Sequence, residues 1–374
     1  MELPSYFKDY LRAIRPTKDQ LDDLRTGHKT LRDRLREFDG IRDIYISDFL
    51  QGSYRRATAV RPAGESRSDV DIIVVTSLDH LSCTPQQAID RFVPFVEKYY
   101  KGKYEIQGRS IGIELSYVAL DLVVTAAPDQ QDLSALRSMS VRSIASLDDR
   151  LGPPDGVTME SFALLPAPLF SRAGEEHDWR ASPLQIPDRE AAEWKPTHPL
   201  EQIRWTWRKN EACNGHYVNV VKALKRWRRE VCASSSHPKS YPLEHLIGAC
   251  CPDGINSIAE GVTLTLETIV SRYGAYAATG LVPSLPDHGV PEHDVMARVE
   301  GPEFAAFHAD ASEAATLARR ALDSDDLHES ANLWRELLGS RFPEPPEPKS
   351  RVEASSGGFT PRHAPTSIRP SRFA

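Results

Sequence analysis

The sequence predicts an α+β fold in two lobes, a mixed sheet with flanking helices followed by a mainly helical half. Three observations predict it. Two β-branched, apolar segments, Val70–Val75 and Ile111–Val124, stand on either side of a helix-like stretch from Pro85 to Tyr100, and strands around a helix build such a core. From Thr197 onward the apolar residues recur at helical spacing instead. Between these halves, residues 150–198 carry Gly152-Pro153-Pro154-Asp155-Gly156, Pro166-Ala167-Pro168 and Ser182-Pro183 with little periodicity, which reads as a connection.

Taken in order, Thr17-Lys18-Asp19-Gln20 has the form of a capping box. Leu21, Leu24, His28, Leu31 and Leu35 follow on one helical face, which predicts a long amphipathic helix ending near Gly40. Ile44-Tyr45-Ile46 and Phe49-Leu50 read as a strand that runs into Gly52-Ser53. The second half divides at Gly and Pro into helices over Pro199–Lys209, His216–Cys232, Leu243–Cys250, Ile258–Tyr276, Ala311–Leu322 and Leu327–Leu338. After Pro343 the chain turns to Pro, Glu, Ser and Arg with almost no aliphatic residues, too little apolar surface to order itself. The predicted boundaries are 1–190 for the first lobe, including the long helix, 191–343 for the helical lobe and 344–374 for a flexible tail. No internal repeat is visible.

Composition removes several classes of function. With 40% hydrophobic and 26% charged residues and no long apolar run, the 374-residue chain is not a membrane-spanning protein. Its first residues carry acid early and lack an apolar run, so no secretory signal is expected and the cytoplasm is the expected compartment. Five cysteines, scattered apart from Cys250-Cys251, do not form a disulfide framework. A net charge of -7 argues against a broad, sequence-blind grip on DNA or RNA, so a nucleic-acid activator is not expected and any nucleotide contact is local.

The chemistry concentrates in Gln51-Gly52-Ser53-Tyr54-Arg55-Arg56 and, after it, Ser68-Asp69-Val70-Asp71-Ile72-Ile73-Val74-Val75. Strand side chains alternate, so Asp69 and Asp71 point to one face while their apolar neighbours bury the strand. Two adjacent carboxylates repel unless a cation neutralises them, and hard oxygen donors suit Mg²⁺ or Mn²⁺ rather than zinc. Asp121, alone in the apolar run Val118-Ala119-Leu120-Asp121-Leu122-Val123-Val124, is the natural third ligand. Three carboxylates around two divalent ions about 3.5–4 Å apart serve in-line displacement at phosphorus. Gly52 lets the backbone approach a phosphate, and the Ser53 hydroxyl and N–H can donate to it. Nucleotidyl transfer is the reading.

Gly-Ser, then D-x-D on a strand, then a third Asp on a later strand resembles the polymerase-β-like nucleotidyltransferase superfamily. Within it the chain resembles the bacterial cGAS/DncV-like nucleotidyltransferases, the oligonucleotide cyclases of anti-phage (CBASS) signalling. The likeness extends over roughly residues 20–343, through Glu193-Trp194-Lys195-Pro196-Thr197-His198-Pro199, Leu224-Lys225-Arg226-Trp227-Arg228-Arg229, Lys239-Ser240-Tyr241-Pro242-Leu243-Glu244 and Trp334-Arg335-Glu336-Leu337-Leu338-Gly339 with Phe342-Pro343. The resemblance implies a polymerase-β-like core completed by a helical domain, with Asp69, Asp71 and Asp121 as catalytic residues that ligate two Mg²⁺ (or Mn²⁺) ions. It implies Gly52 and Ser53 at the triphosphate with Gln51 beside them, Lys225 and Ser240 on the phosphates, and Tyr241 stacked on a base. The implied activity joins nucleoside triphosphates, ATP among them, into a cyclic di- or trinucleotide that a separate effector protein senses. It also implies a tail conjugated through Ala374 by a companion E1/E2-like enzyme, in a bacterial cytoplasm.

Several features keep two readings. On the helix from His216, Val218, Val221, Leu224, Trp227 and Val231 form the apolar stripe, and Lys222, Lys225 and Arg229 lie on a face turned either to solvent or to a nucleotide. Arg55, Arg56, Arg61 and Arg67 either steer nucleotides or sit at the surface. Cys232, His237, His245, Cys250 and Cys251 lie close in sequence but match no zinc spacing. A linear 2′-5′ oligonucleotide synthase would use the same residues. A catalytically silent nucleotide-binding scaffold would have no reason to retain three mutually repelling acids.

Overall fold

A computed structural model describes residues 1–62, 64, 67–127, 182–230 and 237–345. Cys232, Val231, Ala374, residues 150–181 of the expected connection and residues 346–374 of the expected tail lie outside the described residues.

The first lobe runs α1 (Pro4–Ile14), α2 (Lys18–Glu37), β1 (Tyr45–Gln51), α3 (Gly52–Arg55), β2 (Asp69–Asp79), α4 (Pro85–Asp90), α5 (Val93–Tyr100), β3 (Tyr104–Ile106), β4 (Ile111–Glu114) and β5 (Ala119–Ala127). The predicted capping box starts α2: the Gln20 N–H donates to Thr17 Oγ1 at 3.2 Å and the Thr17 N–H to Gln20 Oε1 at 2.9 Å. The helix stops at Glu37, and a 3₁₀ turn at Asp39–Ile41 leads on to β1. The expected single helix from Pro85 to Tyr100 is two, because Pro94 in the first turn of α5 cannot continue a helix from upstream. Likewise Ile111–Val124 is two antiparallel strands, folded at a turn closed by the Leu115 N–H on the Val118 carbonyl at 2.9 Å.

The sheet order is β1-β2-β5-β4-β3. Among the described residues only the central pair, β2 and β5, is parallel, and its register sets Asp71 opposite Asp121. Beyond β5 the sheet continues into a hairpin, β6 (Leu184–Asp188) and β7 (Glu193–Thr197), within the segment that the sequence presents as a connection. Both strands are five residues long and each contains a proline, Pro187 or Pro196, so neither shows a readable alternation.

The helical lobe comprises α6 (Pro199–Ala212), α7 (Tyr217–Glu230), α8 (Ser240–Cys250), α9 (Ile258–Thr279), α10 (Gly301–Asp323) and α11 (Leu327–Leu338). The α10 helix starts ten residues before the expected Ala311, with a capping box between Glu300 and Glu303 and with Phe304, Phe307 and Ala311 on its buried face.

Two hydrophobic cores result. One lies between the sheet and α2, α4 and α5, with Leu24, Leu31, Ile72, Val74, Phe92, Phe95, Leu120 and Leu122 at 0–1% exposure. The other fills the helical lobe and takes in Phe7, Tyr10, Leu11 and Ile14 of α1. Phe7 meets the Trp334 ring edge-on at 5.0 Å and Phe342 at 5.3 Å. Thus α1, which the sequence groups with the first lobe, packs with the second. Among the described residues no helix is long and apolar enough to cross a membrane.

Candidate active site

A cleft of about 430 Å³ opens where the two lobes meet. Its sheet wall carries Gln51, Gly52, Ser53, Asp69 and Asp71, and its helical wall carries Gln202, Lys225, Arg229, Ser240, Tyr241 and Glu244. Asp121 stands beside Asp71 on the neighbouring strand, where the parallel register places both side chains on one face. The sequence-predicted residues within the described chain are therefore gathered at one place.

Gly52 begins α3 with φ +79°, and a Cβ built on it would lie 1.7 Å from Asp71 Oδ2. Only glycine lets the loop close over that carboxylate. Burial, then the charges of Asp121 and Asp69, push the Asp71 carboxyl up to about 7, with Arg56 opposing. Asp121 is raised as well, by burial and by Asp69. Both shifts come from burial and from the neighbouring negative charges. The donor set is hard oxygen throughout, which fits Mg²⁺ or Mn²⁺. Among the described residues no group of three or more His, Cys, Asp or Glu side chains, these three acids included, is placed so that it could hold a metal ion.

The cationic wall is part buried and part solvated. Lys225 and Lys222 are 6% and 8% exposed while Arg229 on the same face is exposed, so the two readings of that helix face divide between its residues. The Lys225 ammonium donates to Glu244 Oε1 at 2.7 Å and to the Thr58 carbonyl at 3.2 Å, so the predicted phosphate lysine lines the cleft while already paired. Burial, Arg15 and Lys225 push Lys222 down to about 7. Of the four loop arginines, Arg55 and Arg56 are buried, Arg61 donates to the Arg15 carbonyl at 3.1 Å, and exposed Arg67 meets Glu114 at 3.3 Å.

Tyr241 is held from two sides. Its hydroxyl donates to Asp287, and Arg56 lies 5.5 Å from its ring centroid. Behind it runs an aromatic column: Tyr241 meets His245 edge-on at 4.6 Å, His245 stacks on His288 at 3.9 Å, and His288 stacks on Trp205 at 3.4 Å. Burial draws His245 down to about 4 and His288 to about 3, so both rings are neutral at physiological pH. Asp287 also accepts from Gln202 at 3.1 Å, and Gln202 accepts from Gln51 at 2.9 Å, joining β1 to the helical wall.

Sequence reasoning missed part of the site. Asp287, Gln202, Arg109 and Lys195 all line the cleft. Arg109 and Lys195 share Asp188 at 2.8 and 3.1 Å, a pairing that depends on the unforeseen β6–β7 hairpin. The His and Cys residues of the second half hold no metal cluster among the described residues: His237 Nδ1 lies 2.7 Å from Glu303, and Cys250 and Cys251 are free thiols.

Moving a nucleotidyl group requires acids for divalent ions on one side of the triphosphate and cations for its oxygens on the other. This cleft supplies both, and its class is nucleotidyltransferase. Residues 1–132 match the Second Messenger Oligonucleotide or Dinucleotide Synthetase domain. The chain is 46% identical to a cyclic AMP-AMP-GMP synthase of Enterobacter hormaechei subsp. hoffmannii, over 100% of both chains. It is 48% identical to a probable cyclic AMP-AMP-GMP nucleotide synthase of Salmonella paratyphi B, over 98% of this chain and 97% of that one. Among solved structures, E. coli CdnC with ATP superposes with a TM-score of 0.62 at 15% identity, over 92% of this chain and 100% of that one. The chain belongs to the bacterial cGAS/DncV-like nucleotidyltransferases, the enzymes that join nucleoside triphosphates into cyclic di- or trinucleotide second messengers.

Proposed function

We propose that the product is a cyclic trinucleotide of two adenylates and one guanylate, made from ATP and GTP in the bacterial cytoplasm. The observation that carries this reading is identity of 46% and 48% along essentially the whole chain to relatives of that activity. In this reading Asp69, Asp71 and Asp121 hold two Mg²⁺ or Mn²⁺ ions, which neutralise the triphosphate and acidify the attacking hydroxyl. The Gly52 and Ser53 amides and the Ser53 hydroxyl receive phosphate oxygens. Lys225 and Ser240 contact the phosphates from the helical wall, and Tyr241 stacks on a base, worth about 1–3 kcal/mol. Gln51 is held by Gln202 beside the loop, which keeps the sheet wall aligned with the helical one.

The test is incubation with all four labelled triphosphates and Mg²⁺, phosphatase treatment and mass spectrometry. We expect a phosphatase-resistant trinucleotide that forms only when ATP and GTP are both present. A chain trimmed by phosphatase at its 5′ end would instead support the linear synthase, and absence of any product the scaffold. Asp69→Ala with Asp71→Ala should abolish product without loss of the melting transition, and wild-type turnover in that variant would defeat the assignment of the acids.

A further inference from the structure

Glu244 lies buried, 7% exposed, where the lobes meet, and the reading of the site so far gives it no task. Its Oε1 accepts from Lys225 Nζ at 2.7 Å and from Thr58 Oγ1 at 3.1 Å, and its Oε2 from Arg56 at 3.2–3.3 Å. These partners come from α7, from the segment behind Gly52-Ser53 and from the end of α3. One carboxylate therefore ties both walls of the cleft together. An ammonium has three N–H groups: Glu244 and the Thr58 carbonyl take two of Lys225's, which leaves one for the cleft that Lys225 lines. Arg56, Lys225 and Glu244 sum to one positive charge, so the acid lets two cations sit together and still leaves attraction for an anion.

We propose that Glu244 is a positioning residue of the nucleotidyl transfer, fixing Lys225 with its remaining N–H toward a substrate phosphate and Arg56 against the Tyr241 ring. A lysine with a free side chain surrenders rotamer freedom each time it meets a phosphate, and a clamped one has surrendered it on folding. The clamp thus acts on nucleotide binding. It rests on the reading that Lys225 touches phosphate.

The experiment compares kcat and KM for ATP, together with melting temperature, in the full chain and in E244Q, K225M, the E244Q/K225M pair and T58V. Because charged hydrogen bonds are at stake, E244Q and K225M should each raise KM about tenfold with kcat changed less than about threefold. The pair should be no worse than K225M alone, since the effect of Glu244 runs through the lysine. Wild-type KM in K225M overturns the phosphate reading of Lys225 and the proposal with it. A raised KM in K225M with wild-type KM in E244Q overturns the proposal alone, as does a double variant whose KM is the product of the two single effects. A carboxylate that only supported the fold would lower the melting temperature and leave KM unmoved. Should E244Q fail to fold, T58V removes one hydrogen bond to the carboxylate without stranding a charge: a KM raised about threefold supports the proposal, and an unchanged KM overturns it.

Discussion

At Gly52 backbone conformation and the proposed catalysis meet in one residue. An alanine there would adopt a left-handed conformation, costing about 1–2 kcal/mol, and its methyl group would displace the Asp71 carboxylate. Gly52→Ala should therefore lose at least about a hundredfold in turnover while remaining folded, as measured by product formation against melting temperature. Glu244 supports a pH prediction. Burial alone would raise its pKa, but Lys225 and Arg56, with hydrogen bonds from Lys225 and Thr58, hold it at about 2, below the ordinary 4.5. Its contribution to stability is present above pH 4.5 and is lost as pH falls through 2. Wild type should exceed Glu244→Gln by about 3 kcal/mol at pH 7, and the difference should shrink across that acid window in urea titrations. The two-residue spacing of Asp69 and Asp71 and the Gly-Ser ahead of them were plain in the sequence. The Glu244 clamp was not, because a glutamate on an amphipathic helix looks the same whether it meets water or two buried cations.

At the level of elements, α2 is seated on the sheet through Gly27, where an added Cβ would lie 2.6 Å from Val118 Cγ1. Gly27→Leu should destabilise the protein by about 1–3 kcal/mol through overpacking, read from the denaturant midpoint, despite its better helix propensity. Long periodic helices and runs of β-branched residues were legible: α11 has the predicted bounds, and β2 begins at the predicted acid pair. Short elements were not. The β6–β7 hairpin is interrupted by proline, and only its pairing with β5 at Ala126 and Gln185 makes it part of the sheet. The break between α4 and α5 was marked by Pro94, a signal that the apolar spacing on either side obscured.

Across the whole molecule, two cores are joined at the cleft by polar contacts, Gln51 with Gln202 and Arg56 with Glu244. The first helix belongs by packing to the second core. Phe7→Ala should cost about 3–5 kcal/mol and act on the helical lobe first. Hydrogen exchange should show protection lost in α7 and α11 while β2 and β5 retain theirs, and a uniform loss would mean that the lobes unfold as one unit.

By itself the sequence determined the fold class, the strand that carries the acid pair, the glycine that must precede it and the helical character of the second half. These follow from side-chain periodicity and backbone sterics, which act between neighbours in the chain. Only the tertiary structure decided that Asp121 lies opposite Asp71, that α1 leaves its own lobe and that Lys225 meets the cleft already paired. Strand register, helix docking and ion pairing arise when residues far apart in sequence compete for the same buried space, and no short stretch of sequence records the outcome of that competition.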